Sequence, residues 1–494
     1  TTASRNTAVG TFSLEANTSG QFNTALGGWT LQSNTTASNN TAVGYNALTT
    51  NTTGANNTAV GYGSLDANTT GNSNAAFGLN TLGANTTGSD NASFGYQSML
   101  DNTTGISNTA LGSSALRENT TASNNTAIGK SALLNNTTAN ANTAVGASAL
   151  SSTTTGASNA AVGKDALKDN TTGERNVAVG ALALDVNTTA QRNTAIGFGA
   201  LGSNNGSNNT ALGHAALASN TSGVQNVAIG SQALDSSTTS SSHVAIGYQA
   251  LGANTTGDAN TAIGFQALLD SQTSSNHTAV GSRALYNNTS GQQNTAIGVN
   301  TLFNNTSGEH NVAVGTSCLD ANTTADHNTG VGHNALGANT TGAENTAVGA
   351  DALDACTTGN DNTAVGKDAL TSVTTGYNNV AIGHKAGNGV STGHSNTYIG
   401  HGAGENSTST GSNVTFIGNN AFASQGGSFS NAVVLGNSSV STLRCQVQTI
   451  SSLSDARDKT NIVDIEDGLD LINLLKPRKF TWAMREPSAN DGTT

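Results

Sequence analysis

The sequence predicts an all-β fold, a repetitive β-solenoid or β-roll of about 26 coils, from three observations. Residues 40–44, with the sequence NTAVG, recur in nearly the same form from Asn57, Asn74 and Asn91, at a period of 17 residues. Only 9% of the residues are charged, against about a quarter in an ordinary globular domain. Hydrophobic residues make up 35% of the chain and stand at fixed places in the period, which excludes a disordered polymer. Such a fixed period is typical of coils that fold only as a stacked array.

The glycine that ends each predicted strand marks the register of the repeat from Gly10 to Gly436. One step is shortened, because Gly213 follows Gly197 after 16 residues, and the two steps after Gly400 are 18 residues long. The register otherwise holds throughout, so we predict that residues 1–436 form one solenoid shaft.

Each coil contains one short strand, whose side chains point alternately to opposite faces. The position of Val43 is always aliphatic or phenylalanine, and that of Thr41 becomes valine in several coils, so we expect both inside the coil. Leu48 and its equivalents add a further apolar residue after a bend. The position of Ala42 accepts almost only very small residues. We interpret it as a second packed face against another subunit, most simply at a three-fold axis.

A single coil is too small to be stable alone. Three buried aliphatic side chains do not offset the backbone entropy that is lost when a whole coil is ordered. Hydrogen bonds to the coils above and below, together with a partner subunit, must supply the difference. With the small residues at the Ala42 position, this predicts a parallel homotrimer through most of the shaft.

Residues 51–54, with the sequence NTTG, are predicted to form the outer turn of the coil. Asparagine tolerates left-handed backbone and bonds its own main chain, and glycine supplies a positive φ. Stacked asparagine and threonine side chains would then form polar ladders along a rod on the order of 120 Å long, at about 4.8 Å per coil. We interpret the many Asn-x-Thr sequons as turn chemistry rather than as glycosylation sites. Units of the form NxVAIG resemble the β-roll heads of trimeric autotransporter adhesins, and this resemblance spans residues 1–436.

The C-terminal part of the chain has a different character. Residues 437–453 have no coil register and are predicted to form a neck, and residues 454–494 are predicted to form a short α+β segment. Residues 466–475 carry leucine and isoleucine at helical spacing, and Pro477 ends this helix. Residues 479–482, with the sequence KFTW, then predict a short strand.

Residues 454–462, with the sequence SDARDKTNI, and the downstream FTW of residues 480–482 resemble the start of the endosialidase-type intramolecular chaperone domain. This family stands at the C-terminus of phage tail spikes and fibres, and the resemblance implies a segment that drives trimerisation and then cuts itself off. It implies Ser454 as the nucleophile and last residue of the released fibre, Asp455 as the new N-terminus, and Lys459 as the base. A lysine whose pKa is lowered by burial can activate a serine in this way. The rest of such a domain would follow Thr494, so we expect cleavage of a chain that carries the whole domain.

Several classes of function are disfavoured by composition. A net charge of −12 gives no basic surface for nucleic acid or anionic lipid, and no apolar run approaches the roughly 20 residues that cross a bilayer. Cys318, Cys356 and Cys445 are odd in number and far apart, so no disulfide framework is implied. We expect no cofactor and no metal. His243 and His277 replace the asparagine that opens the strand, and lack the clustered partners of a metal ligand.

These features favour a structural tail-fibre shaft of a virus or phage, located in the virion and serving host attachment. We expect no enzymatic activity beyond a single self-cleavage. The expected partners are two further copies of the chain, other tail or baseplate proteins bound through an N-terminal region, and a host surface receptor, either a glycan or a protein. Two alternatives stay open, a bacterial trimeric surface adhesin and an ice-binding solenoid with regular threonine ladders. A glycan-degrading spike is disfavoured, because no pair of carboxylates stands out.

Overall fold

The computed structural model describes residues 3–405, 410–422 and 430–444. Within these residues the chain forms 26 strands and no helix. The chain divides into two compact units, residues 1–439 and residues 440–494. The strands are β1 (Thr7–Val9), β2 (Thr24–Leu26), β3 (Thr41–Val43), β4 (Thr58–Val60), β5 (Ala75–Phe77), β6 (Ala92–Phe94), β7 (Thr109–Leu111), β8 (Thr126–Ile128), β9 (Thr143–Val145), β10 (Ala160–Val162), β11 (Val177–Val179), β12 (Thr194–Ile196), β13 (Thr210–Leu212), β14 (Val227–Ile229), β15 (Val244–Ile246), β16 (Thr261–Ile263), β17 (Thr278–Val280), β18 (Thr295–Ile297), β19 (Val312–Val314), β20 (Thr329–Val331), β21 (Thr346–Val348), β22 (Thr363–Val365), β23 (Val380–Ile382), β24 (Thr397–Ile399), β25 (Val414–Ile417) and β26 (Ala432–Leu435).

Each strand pairs in parallel with the next strand along the chain, so that equivalent residues of successive coils lie side by side. Ala42 lies opposite Ala59, for example. The pairing also holds across the shortened step, where Thr194 lies opposite Thr210, so the missing residue is absorbed outside the strands. At about 4.8 Å between paired strands, the stack is on the order of 120 Å long. The prediction of an all-β solenoid of about 26 coils is confirmed.

The face of the strand that fills the coil is the opposite of the one predicted. Ala42 has no exposed surface, whereas Thr41 and Val43 are only partly buried on the outside. The middle residue of the strand is buried in the same way in every coil from β2 to β24. The expectation that Thr41 and Val43 lie inside the coil is therefore wrong. The expectation for Leu48 is confirmed, since its side chain is fully buried beside Ala47.

The small size of the Ala42 position has its cause inside the coil, so the predicted contact of this position with another subunit is wrong. In β20 this position is Gly330, and a Cβ there would lie 2.5 Å from the Sγ of Cys318, which replaces the smaller alanine of the neighbouring coil. In β6 it is Ser93, whose hydroxyl lies 2.7 Å from that of Ser98 across the same interior. The space is already filled by facing side chains, and close packing leaves room for a methyl group only.

In the last coils, the large and the small interior residues have exchanged positions. Tyr398 replaces the alanine of the strand and is buried, while the position of Leu48 is occupied by Gly387 and Gly404. A Cβ on Gly404 would lie 2.4 Å from the Cδ1 of Tyr398, and one on Gly387 would lie 2.8 Å from its Cδ2. The tyrosine ring therefore occupies the volume that leucine fills elsewhere.

Two ladders of asparagine run through the inside of the shaft. The side-chain amide of Asn51 donates to the Oδ1 of Asn34 at 3.0 Å and to the carbonyl of Gly54 at 2.9 Å. The Oδ1 of Asn40 accepts from the main-chain N–H of Asn57 at 2.9 Å. The predicted ladders are confirmed, but both asparagines are fully buried rather than on an outer turn. Most of these amides are paired with neighbouring coils, which offsets the cost of burying polar groups. Among the described residues, one buried side-chain atom has no hydrogen-bond partner in each of Asn136, Asn187, Asn220, Asn254 and Asn339.

The two glycines of each coil are required for different structural reasons. Gly44 has a φ of 119°, a conformation that side chains rarely adopt. Gly54 does not have a positive φ, so the prediction for this residue is wrong. It is required by space, because a Cβ there would lie 2.3 Å from the carbonyl oxygen of Gly71 in the next coil. The left-handed backbone expected at Asn51 occurs instead at Leu48, which has a φ of 52°.

Candidate functional site

The predicted catalytic pair belongs to the C-terminal segment. Ser454, Lys459 and the bond between Ser454 and Asp455 lie outside the described residues, as do the predicted helix of residues 466–475 and the predicted strand of residues 479–482. Their roles, and the domain boundaries at residues 436 and 453, therefore stay predictions.

One outer face of the shaft carries a continuous row of apolar side chains, the last residue of each strand from Val9 in β1 through Val43 to Leu435 in β26. We call it the apolar row. Because the strands are paired in register, its members stand one above another at about 4.8 Å. Thr41 and its equivalents run beside it on the same face, and neither row contains an ionisable residue. Sixteen members of the apolar row are 37% to 55% exposed: Val9, Leu26, Phe94, Leu111, Val162, Val179, Ile196, Leu212, Ile297, Val331, Val348, Val365, Ile382, Ile399, Ile417 and Leu435.

Variation within the chain could have located this face from the sequence. The apolar row accepts valine, isoleucine, leucine and phenylalanine, residues of very different volume, and Phe77 and Phe94 stack there at 4.7 Å. The position of Ala42, by contrast, stays small in nearly every coil. A close-packed interior tolerates little change in volume. The position of constant size therefore marks the inside of the coil, and the variable apolar position marks its outer face.

His277 is part of the internal polar ladder, as predicted from its position in the repeat. Its Nε2 lies 2.8 Å from the carbonyl of Gly291, and its Nδ1 accepts from the main-chain N–H of Asn294 at 3.2 Å. Both bonds require the neutral ring, because a proton on Nδ1 would face another donor. Burial lowers the pKa of His277 to about 4.

His243 occupies the equivalent place two coils earlier. Its Nδ1 accepts from the main-chain N–H of Asn260 at 3.2 Å, and burial lowers its pKa as well. Both histidines follow a turn in which serines replace the usual asparagine and glycine, Ser237 and Ser240 in one case and Ser271 and Ser274 in the other. The larger imidazole is thus accompanied by smaller neighbours.

The cysteines of the shaft have no reactive character. Cys318 and Cys356 are fully buried and free, and burial raises the pKa of the first thiol to about 12 and of the second to about 11. Both are therefore thiols rather than nucleophilic thiolates at neutral pH. Cys318 stands in the place of the alanine that precedes the buried leucine in most coils, and it fills that place as a small buried residue. Cys445 lies outside the described residues.

The asparagines, the metal-binding residue types and the apolar segments of the shaft bear on three other kinds of site. The sequon asparagine Asn51 has no exposed surface, and its side-chain nitrogen is hydrogen-bonded to the chain, which agrees with a role in the turn. Among residues 3–405, 410–422 and 430–444, no group of three or more histidine, cysteine, aspartate or glutamate side chains could hold a metal ion. The same part of the chain contains no helix of the length and hydropathy that crosses a membrane.

Comparison with known protein families identifies the C-terminal segment. Residues 454–493 match the model of the family described as chaperone of endosialidase. The resemblance inferred from the motif at residues 454–462 is thereby confirmed at the level of the family. A search of curated proteins gave no match, and a search of solved structures gave none either. The resemblance of the shaft to trimeric autotransporter heads stays a prediction.

Proposed function

We propose that this chain is the shaft of a trimeric phage or viral tail fibre, which carries host attachment on the virion and is assembled with the help of its C-terminal segment. One observation carries the proposal: a segment of the endosialidase-chaperone family, residues 454–493, follows a solenoid of 26 coils in the same chain. A long regular rod separates two ends by a fixed distance, which suits a fibre that joins a particle to a cell surface. An N-terminal region would bind other tail or baseplate proteins.

The exposed apolar row supports the proposed trimer and indicates a contact surface between chains other than the Ala42 position. Soluble monomers rarely expose contiguous apolar patches above a few hundred Å². A row with sixteen exposed apolar side chains along the whole shaft exceeds that, and a stable interface needs about 1,200–2,000 Å² in total. We therefore place the rows of Thr41 and Val43, rather than Ala42, against the two other copies. Parallel chains at the same height would then pair like residue with like.

Charged substitutions in the apolar row test this arrangement. The triple variant Val145→Asp, Val162→Asp and Val179→Asp places three carboxylates per chain in the proposed interface, where burial of unpaired charge is costly. We expect light scattering to show a trimer for the parent chain and a lower oligomer or aggregate for this variant.

A matched control uses the outer turns of the same coils. The exposed Thr138, Thr155 and Thr172 receive the same change to aspartate, and this variant should remain trimeric. A parent chain that is a stable monomer, or equal behaviour of the two triple variants, would contradict the proposed interface.

We propose further that a chain carrying the whole chaperone domain is cut between Ser454 and Asp455 after trimerisation. Ser454 acts as the nucleophile and Lys459 as the base that takes its proton. Removal of the folding aid makes assembly effectively irreversible. Mass spectrometry should find the shaft ending at Ser454, while Ser454→Ala and Lys459→Ala should each give an uncut trimer. An intact wild-type chain in assembled trimers would exclude the cut but not the role in trimerisation.

Host attachment has its own test. A fluorescently labelled fibre, prepared from a chain with the whole chaperone domain, should bind saturably to at least one strain in a panel of bacteria, measured by flow cytometry. Unlabelled fibre in excess should compete for the same sites. Binding to no strain, or binding without saturation, counts against the attachment function.

A further inference from the structure

A groove of about 520 Å³ runs along the outside of the shaft across four successive coils. One of its walls is formed by Asp270, Asn287, Asn304 and Ala321, which occupy the same position in consecutive coils. The amide of Asn287 donates to the Oδ1 of Asn304 at 3.3 Å, and the amide of Asn304 donates to the carbonyl of Asp320 at 3.0 Å. The wall is therefore an ordered line of polar groups.

Three threonines, Thr289, Thr306 and Thr323, form a second row beside this wall, two positions further along each coil. The Oγ1 of Thr289 donates to the carbonyl of Thr306 at 3.0 Å, and the Oγ1 of Thr306 donates to the carbonyl of Thr323 at 2.9 Å. Each hydroxyl proton is thus used within the shaft, which leaves the hydroxyl oxygen as an acceptor facing the groove. The side chains are fixed before any ligand arrives, so little entropy is lost on binding.

The groups that line the groove restrict which class of ligand can bind there. Asp270 offers a carboxylate that has no ion-pair partner among the described residues, the two asparagines offer amide donors and acceptors, and no lysine, arginine or histidine lines the groove. An anionic ligand would meet a carboxylate without a compensating cation. A neutral polyol would donate its hydroxyl protons to the carboxylate and threonine oxygens and accept from the amides.

The groove is accessible in the proposed trimer. Its wall residues stand seven positions after the apolar row in a coil of 17 residues, as Asn287 follows Val280, and no residue of the apolar row lines it. Equivalent hydroxyl-binding groups repeat at the rise of one coil, about 4.8 Å. A chain of linked sugar rings presents its hydroxyl groups in a similar linear series.

The geometry points to a binding site for a linear neutral oligosaccharide in the groove formed by Asp270, Asn287, Asn304 and the three threonines. This inference rests on the attachment function proposed above, and it identifies a receptor class and the coils that contact it. The site binds the glycan through hydrogen-bond acceptors and amide donors that repeat at the spacing of one coil. A glycan that carries sialic acid is rejected by the carboxylate of Asp270.

The repeat itself supplies substitutions that should leave the fold intact. Ala253, in the coil directly before the groove, and Ala321, in its last coil, occupy the same position, so alanine is compatible with the coil there. The variants Asp270→Ala and Asn287→Ala/Asn304→Ala therefore remove the polar wall without overpacking. Asp169→Ala is the matched control, because Asp169 holds the same position in a coil outside the groove.

The full-chain trimer is titrated with maltotriose, cellotriose and chitotriose as neutral probes and with 3′-sialyllactose as the anionic probe, by calorimetry and saturation-transfer NMR. We expect at least one neutral trisaccharide to bind, with an affinity at least about 10-fold lower in each groove variant and unchanged in Asp169→Ala. Binding of none of the neutral probes, binding of sialyllactose alone, or equal binding by the groove variants overturns the inference.

Adsorption to cells separates this inference from the attachment function on which it rests. If the parent fibre binds cells and Asn287→Ala/Asn304→Ala binds them equally well, the groove is not the receptor site, while the attachment function stands. Loss of cell binding in both groove variants, with retention in Asp169→Ala, supports the groove. A parent fibre that binds no cells overturns the attachment function itself, and the receptor assignment falls with it.

Discussion

The regular coils and the last coils of the shaft fill the same interior with opposite arrangements. In a regular coil the strand contributes Ala42 and the bend contributes Leu48, both fully buried. Near the C-terminal end the strand contributes Tyr398 and the bend contributes Gly404. The difference shows that the coil requires a total interior volume, and that neither position has a fixed size of its own.

Overpacking of regular coils should give the largest effect on stability. Replacement of Ala42, Ala59 and Ala127 by leucine adds three carbons at each of three filled sites, and one such insertion typically costs about 1–3 kcal/mol. Ala127 is separate from the other two sites, whereas Ala42 and Ala59 are paired in adjacent coils, so their effects need not add. We expect a total loss on the order of 2–9 kcal/mol in the free energy of unfolding. Thermal unfolding followed by circular dichroism should show the loss. A variant as stable as the parent would contradict the interior assignment of Ala42.

Lowering the pH should destabilise the coils that contain His243 and His277 before the coils that have asparagine at this position. The pKa of His277 is lowered by burial to about 4 in the folded shaft, whereas an unfolded histidine has a pKa of about 6.5. The unfolded chain therefore binds the proton first, and stability is lost as pH falls from about 6.5 to about 4, by on the order of 3 kcal/mol. Hydrogen exchange measured at pH 7 and pH 4.5 should show this loss around residues 260–294.

The control for the acid effect rebuilds a regular coil. The variant Ser271→Asn/Ser274→Gly/His277→Asn restores the three residue types found in most other coils. It should lose the added exchange at pH 4.5 in this region while His243, in its own coil, keeps it. Equal acid sensitivity of the rebuilt coil would show that the histidine is not the cause.

The exchange of sizes in the last coils can be tested by reversal. Gly404→Leu should destabilise these coils by about 1–3 kcal/mol, because its side chain would overlap the ring of Tyr398. The backbone is not the obstacle, since Leu48 adopts a φ of 52° and Gly404 one of 72°. Adding Tyr398→Ala should restore stability, which differential scanning calorimetry can measure. A double variant less stable than Gly404→Leu alone would refute compensation by volume.

The smallest effect is expected on the outer turn. Thr53 is exposed, so Thr53→Leu should change the free energy of unfolding by less than about 0.5 kcal/mol.

The threonine rows of the outer turn also bear on the ice-binding alternative. Thr52 donates its hydroxyl proton to the carbonyl of Thr69 at 3.0 Å and is thus engaged within the shaft. We expect no thermal hysteresis from the parent rod in a nanolitre osmometer, and a clear hysteresis gap would favour the alternative.

The features that depend on the period were predictable from the order of the residues. The number of coils, the all-β class, the buried Leu48 and the ladder positions of His243 and His277 follow from residues that return every 17 positions. The family of residues 454–493 was also readable from the motif SDARDKTNI. The chemistry of Ser454 and Lys459 and the homotrimer stay predictions.

The face of each strand that lies inside the coil could not be predicted without the packing of the whole coil. Alternation along a strand of three residues is compatible with either choice, because Thr41 and Val43 share one face and Ala42 has the other. Hydrophobicity favours Val43 as the core residue, but the interior is already filled by Leu48 and by the buried Asn51 from the rest of the coil. The remaining volume admits only a methyl group. The larger apolar residues are therefore placed outside, in a row that we assign to the partner chains.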